Sequence, residues 1–197
     1  MPRETFYRLS EEKKENIETA IKKELSRVSI AEMSINKIIY DANIPRGSFY
    51  QYFENKEDAI KIVVNRYIET EAKLIRSILK RNNGNIFAIT VEMYDYIIEQ
   101  YFNKYTILYI NIFDFLRKQT HNVMTSTQVS KERIGKYINL DILKFDSNED
   151  INMMMKMLSI LTRSTILEVF RKKLSIEEGR KQLESQIKIL QKGMMKN

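Results

Sequence analysis

At 197 residues, 43% of them hydrophobic and 30% charged, the chain has an ordinary globular balance and material for one sizeable core or two small ones. It contains no cysteine, which excludes a disulfide framework, a zinc finger and a thiol nucleophile and is compatible with a reducing compartment. The net charge of +7 suits a nucleic-acid partner, but 12 basic against 11 acidic residues lie through Arg66 and 21 against 15 beyond it, so bulk charge locates no binding face. Only five glycines and two prolines, Pro2 and Pro45, punctuate the chain, which favours long helices over β-structure and predicts an all-α fold. No apolar run approaches the roughly 18–20 residues of a membrane span, and Met1–Ser10 lacks the apolar stretch of a signal peptide. A soluble, cytoplasmic protein with no membrane partner is expected.

Ser10 followed by Glu11 and Glu12 reads as a helix start, a hydroxyl cap with acids set to meet the helix dipole. Ile17, Ala20, Ile21, Leu25 and Val28 then recur at helical spacing and predict a helix over about 11–27. Ser34 is a second candidate cap, before Ile35, Ile38, Ile39 and Ala42 in a short helix that breaks at Asn43, a residue tolerant of the left-handed conformation. Pro45 suits the first position of the next short helix, Pro45–Phe53, in which Phe49 and Phe53 read as core. Asn55 caps a fourth helix that runs to about Arg81, where Asn82-Asn83-Gly84-Asn85 breaks the chain.

Ile86–Phe102 and Tyr105–Leu116 are apolar on more than one side and read as buried helices. Lys118–Ser130 fits a loop or a weak helix equally. Asp146-Ser147-Asn148 reads as a turn opening a long helix over about 149–172, and Ser175-x-x-Glu178 is a capping-box pattern opening the last one.

Ser34–Ala42 (SINKIIYDA), Asn43-Ile44-Pro45, Arg46–Phe53 (RGSFYQYF) and Asn55-Lys56-Glu57-Asp58 together resemble the headpiece of the TetR family of transcription regulators, in register over about 25 residues. Asn43 stands where that family usually has glycine, Ile39 where it has alanine and Pro45 where serine is common. None of the three departures removes a group placed to touch DNA. The resemblance implies a three-helix helix-turn-helix headpiece over about 1–54 and a C-terminal helical domain over about 55–197 for ligand binding and dimerisation.

The chemistry of the residues agrees. Gly47 lets the backbone approach phosphate at a helical position where glycine is otherwise unfavourable. Arg46 can fork onto a guanine edge or a phosphate, and Gln51 can pair with adenine. Ser48, Tyr50 and Tyr52 can donate hydroxyls to backbone oxygens, Lys56 can clamp a phosphate, and Ser34, Asn36 and Lys37 are placed for the opposite backbone strand.

The C-terminal two thirds concentrate aromatics in two neighbouring predicted helices. The resemblance implies a small-molecule pocket there, for which Tyr94, Tyr101, Tyr105, Tyr109, Phe113, Met154 and Met157 are candidates; the same side chains would serve equally as plain hydrophobic core. Glu92, Asp95 and Glu99 share a helix face that could attract a cation or simply be a solvated acidic stripe. His121, the one histidine, cannot form a metal site by itself. With no Ser-His-Asp set beyond His121, no glycine-rich phosphate loop and no His-x-x-x-His, the residues point away from an enzyme and imply no cofactor or metal.

The expected protein is therefore a homodimeric regulator, a repressor by family habit, that binds a palindromic double-stranded DNA operator and is released by a small, largely apolar effector. A DNA-bound structural or interaction protein of the same fold without an effector is the alternative.

Overall fold

The computed structural model describes residues 2–119, 135–145 and 147–195; His121 and most of the Lys118–Ser130 stretch lie outside them. The described residues are all-helical: α1 (Glu4–Tyr7), α2 (Glu11–Arg27), α3 (Ile35–Asp41), α4 (Arg46–Tyr52), α5 (Lys56–Arg81), α6 (Ile86–Tyr101), α7 (Thr106–Gln119), a 3₁₀ turn at Gly135–Tyr137, α8 (Asn148–Phe170) and α9 (Ile176–Met194). No sheet forms among them, and one isolated bridge pairs Leu143 with Met195.

The boundaries follow local chemistry. Ser10 Oγ accepts from the Lys13 N–H, Asn55 Oδ1 from Asp58 N–H, Asn85 Oδ1 from Phe87 N–H and Ser147 Oγ from Asp150 N–H, each covering a donor that a helix start leaves open. Ser175 and Glu178 form the reciprocal capping box that their spacing predicts. Two helix starts depart from expectation. Pro45 is the N-cap of α4, one residue earlier than its predicted place, because its ψ of 145° is extended and only Arg46 onward is helical. Ser34 holds the N-cap position of α3 but its side chain caps nothing.

The chain divides into two compact units, Met1–Glu69 with Tyr105–Leu116, and Thr70–Lys104 with Arg117–Asn197. In the first, Ile17, Ile21 and Leu25 of α2 pack with Ile38, Phe49, Phe53, Ala59 and Ile60, none more than 1% exposed. The rings of Phe49 and Phe53 lie 5.1 Å apart, and Phe6 stands 5.3 Å from Phe53. Asn111, buried on α7, donates to the Leu25 and Val28 carbonyls at 2.8 and 2.7 Å, satisfying acceptors at the end of α2 that the helix itself leaves open.

The second unit centres on α6, α8 and α9, with Ile86, Phe87, Tyr94, Leu158, Ile166, Val169 and Leu183 in its core. Gly179 marks the closest approach: a Cβ there would stand 2.7 Å from both Tyr94 Oη and Val169 Cγ2, so only glycine lets α9 settle on α6 and α8. The Tyr94 hydroxyl donates to the Ile176 carbonyl at 2.6 Å. Two acidic residues of α6, Glu92 and Asp95, are engaged in ion pairs. Glu92 meets Arg81 and also accepts from the Asn82 amide at 2.7 Å, while Asp95 receives Arg180 at 3.0 and 3.2 Å.

Candidate nucleic-acid interface

Two short helices, α3 and α4, meet across Ala42–Pro45. The turn depends on Asn43, whose φ of +50° places it in the left-handed region that glycine occupies most easily and asparagine next. Ala42 N–H closes back on the Ile38 carbonyl at 2.8 Å and Ile44 N–H on the Ile39 carbonyl at 3.2 Å, so the turn is tied to the helix it ends.

A buried carboxylate holds α3 in place. Glu24 of α2 is 2% exposed; its carboxylate accepts from Arg27 at 3.0 and 2.7 Å and from the Ser34 N–H at 2.9 Å. Burial pushes this carboxyl up, but the Arg27 guanidinium and the Ser34 amide outweigh it and hold it below the usual carboxylate range. Ser34 thus contributes its backbone N–H rather than its hydroxyl. Glu24 is a determinant that sequence reasoning missed, since a glutamate on α2 reads as solvated until its distant partner is known.

α4 turns Phe49 fully inward and presents Arg46, Gly47, Tyr50 and Gln51 to solvent, with Ser48 and Tyr52 half-buried at the edges. Arg46 makes no hydrogen bond or ion pair among the described residues. Nothing lies within 4 Å of a Cβ built on Gly47, so internal packing gives no reason for glycine there. α3 exposes Asn36 and Lys37 and, one turn on, Tyr40, which is 84% exposed and lines a shallow open hollow with Asn36, Ile39, Asp41, Asn43 and Ile44. Tyr40 was legible from the sequence as the residue four positions beyond Asn36 on the polar face, but the apolar stripe of the helix drew attention away from it.

Lys56, at the start of α5, donates to the Ile30 and Ala31 carbonyls at 3.0 and 3.2 Å. Its ammonium therefore holds the loop before α3, with one N–H left over.

The predicted pocket residues divide between the units. Tyr94, Tyr101, Met154 and Met157 belong to the second, whereas Tyr105, Tyr109 and Phe113 belong to the first. Tyr105 lies under the Lys22 ammonium, 5.5 Å from its ring centre, and Tyr109 meets Tyr67 edge-on at 6.2 Å. In the second unit Tyr94 and Met154 are buried and Tyr101 is half-buried, while Met157 points outward at 37% exposure. Burial pushes the hydroxyls of Tyr94 and Tyr101 up to about 12. No cluster of histidine or acidic residues able to hold a metal occurs among the described residues, and no helix there is long and apolar enough to cross a membrane.

A helix-turn-helix with an open polar face, among described residues that are otherwise helical, is the architecture of a class of helical regulators. Comparison with known proteins makes this particular. Residues 85–194 match the model of the Tetracyclin repressor-like C-terminal domain. A TetR family transcriptional regulator from Chloroflexus aurantiacus J-10-FL is similar over 100% of both chains, at 23% identity and a TM-score of 0.52. A TetR transcriptional regulator from Rhodococcus sp. RHA1 is similar over 91% of this chain and 94% of its own, at 11% identity and a TM-score of 0.58. The reduced form of NemR from E. coli is similar over 88% and 96%, at 16% identity and a TM-score of 0.58. No curated protein sequence matches significantly. The chain belongs to the TetR family of transcriptional regulators, which are non-enzymatic transcription factors.

Proposed function

We propose that the protein is a ligand-responsive repressor that binds a palindromic operator as a homodimer, with residues about 1–54 reading DNA and about 55–197 binding effector and dimerising. The observation that carries the DNA reading is Gly47. A glycine inside an exposed helix costs about 1 kcal/mol relative to alanine, and nothing inside this protein would meet the missing Cβ. The cost is accounted for by a partner that approaches the backbone from outside, and the residues flanking Gly47 suit a DNA backbone and base edges.

In this reading Arg46 and Gln51 reach base edges, and Ser48, Tyr50 and Tyr52 contact phosphates. Ser34, Asn36 and Lys37 meet the opposite strand, and Lys56 offers its remaining N–H to a phosphate. The dimer face is proposed on α8 and α9. Met153, Met157 and Ile160, at helical spacing on α8, are 53%, 37% and 49% exposed, and Ile189 on α9 is 71% exposed. An exposed apolar stripe on α8, with a well-exposed isoleucine on α9, is what a two-fold, self-complementary interface would cover.

The effector is assigned to the second unit, where Tyr94, Tyr101 and Met154 are the proposed lining. α5 runs as one helix from Lys56 to Arg81, and in this proposal it is the chain segment that links effector binding to the headpiece. An effector that prefers the DNA-free arrangement ~10²-fold supplies about 2.7 kcal/mol of coupling, enough to empty an operator.

The test uses the full chain and a duplex that it selects from a randomised pool. Arg46→Ala is expected to cost about 1–3 kcal/mol and to relax discrimination at one base position, while Lys56→Ala weakens all sequences alike. Unchanged binding in both variants would refute the interface. Compounds that raise the melting temperature are then titrated against free protein and complex. Equal affinity for both refutes an inducer, and a broad panel without any binder favours the interaction-protein alternative.

A further inference from the structure

The N-terminal turn is built onto the far end of α4. A seven-residue helix leaves its last carbonyls without internal partners, and two of these are covered from outside: Arg3 N–H donates to the Tyr52 carbonyl at 2.8 Å, and the Thr5 hydroxyl donates to the Gln51 carbonyl. Pro2 and Phe6 are buried, and the Phe6 ring stands 6.4 Å from Tyr52 and 5.3 Å from Phe53. Anchors at Pro2, Arg3, Thr5 and Phe6 thus fix the backbone around Arg3, and they leave its side chain exposed. The other arginine of this segment, Arg8, is paired with Glu4 at 2.9 Å. The Arg3 guanidinium has no hydrogen bond or ion pair among the described residues, and the α4 carbonyls beside it are already satisfied by Thr5 and by Arg3's own amide.

We infer that Arg3 is a phosphate contact: the N-terminal turn extends the α4 surface past Tyr52 and presents one unpaired guanidinium to the DNA backbone. This rests on the DNA-binding reading above. A guanidinium is always charged and matches phosphate geometry in a two-pronged fashion. Here the ordering of its backbone is already achieved by contacts that do not involve the side chain, so binding does not have to fix a free arm.

The experiment compares wild-type protein with Arg3→Ala, Arg3→Lys and Arg46→Ala on the selected duplex and on a random-sequence duplex, over a range of salt. The anchors use Arg3's amide and its neighbours, so Arg3→Ala should melt like wild type. It should bind both duplexes several-fold more weakly, with the slope of log affinity against log salt shallower by about 0.9 per protomer. Arg3→Lys should recover the slope. Wild-type affinity and slope for Arg3→Ala, with loss in Arg46→Ala, would overturn this inference and leave the α4 interface standing. Loss confined to the selected duplex and not recovered by lysine would make Arg3 a base reader and overturn the phosphate assignment. No change in either Arg3→Ala or Arg46→Ala would overturn this inference together with the α4 interface on which it rests.

Discussion

Replacing the buried Glu24 by alanine should loosen the headpiece. The magnitude follows from what the carboxylate holds. The Ser34 N–H, an open donor at the start of α3, loses a bond to a charged acceptor, worth about 1.5–3 kcal/mol. Arg27 loses a two-pronged partner, but its side chain is 45% exposed and regains water, so that loss adds little. The expected cost is therefore about 1.5–3 kcal/mol, read as a lower urea midpoint with an unchanged slope. The pH dependence has a fixed sign. The folded carboxyl titrates below its unfolded value, so its contribution is complete above the unfolded value near 4.5 and is lost as pH falls through the folded one. Wild type should therefore lose stability in acid over a range where Glu24→Ala loses less. A Glu24→Ala unfolding free energy within about 0.5 kcal/mol of wild type, or equal acid sensitivity in both, would refute the view that this carboxylate sets α3 on α2.

Ile160→Glu and Ile189→Glu, on the exposed stripes, should yield folded monomers that have lost operator binding, checked by sedimentation and anisotropy; unchanged dimers would move the interface elsewhere. Ile187→Glu on the same helix as Ile189 is expected to behave differently, because Ile187 is 5% exposed within one copy and a charge there should unfold the second unit. In alkali the tyrosines act in the opposite sense to Glu24: Tyr94 and Tyr101 ionise near 10 when unfolded but at about 12 when folded, so stability should fall as pH rises through this window. Tyr94→Phe should blunt that loss as followed by circular dichroism, and an unaltered alkaline transition in Tyr94→Phe would contradict the assignment.

Much of the fold was legible because its signals are local. A cap reaches two or three residues along the chain, so Ser10, Asn55, Ser147 and the Ser175–Glu178 box announce helix starts within a few residues of where they occur. The headpiece motif is equally compact: Asn43 adopts the left-handed turn its chemistry allows, and Phe49 and Phe53 are fully buried as their spacing requires. The N-terminal turn was not legible, since four residues carry no periodicity and α1 is held by α4 some 46 residues away in sequence.

The sequence by itself determined the longer helices, most of their starts and the apolar side of α4, because these follow from hydrogen bonds and spacings within a turn or two of chain. Only the tertiary structure decided that Glu24 is a buried anchor, that Lys56 binds carbonyls, and that Ile187 turns inward while Met157 turns outward. It likewise placed Tyr105, Tyr109 and Phe113 in a different unit from Tyr94 and Tyr101. An apolar residue at helical spacing says that one side of a helix must be covered; which neighbour covers it depends on packing between segments far apart in the chain, and no local pattern encodes that.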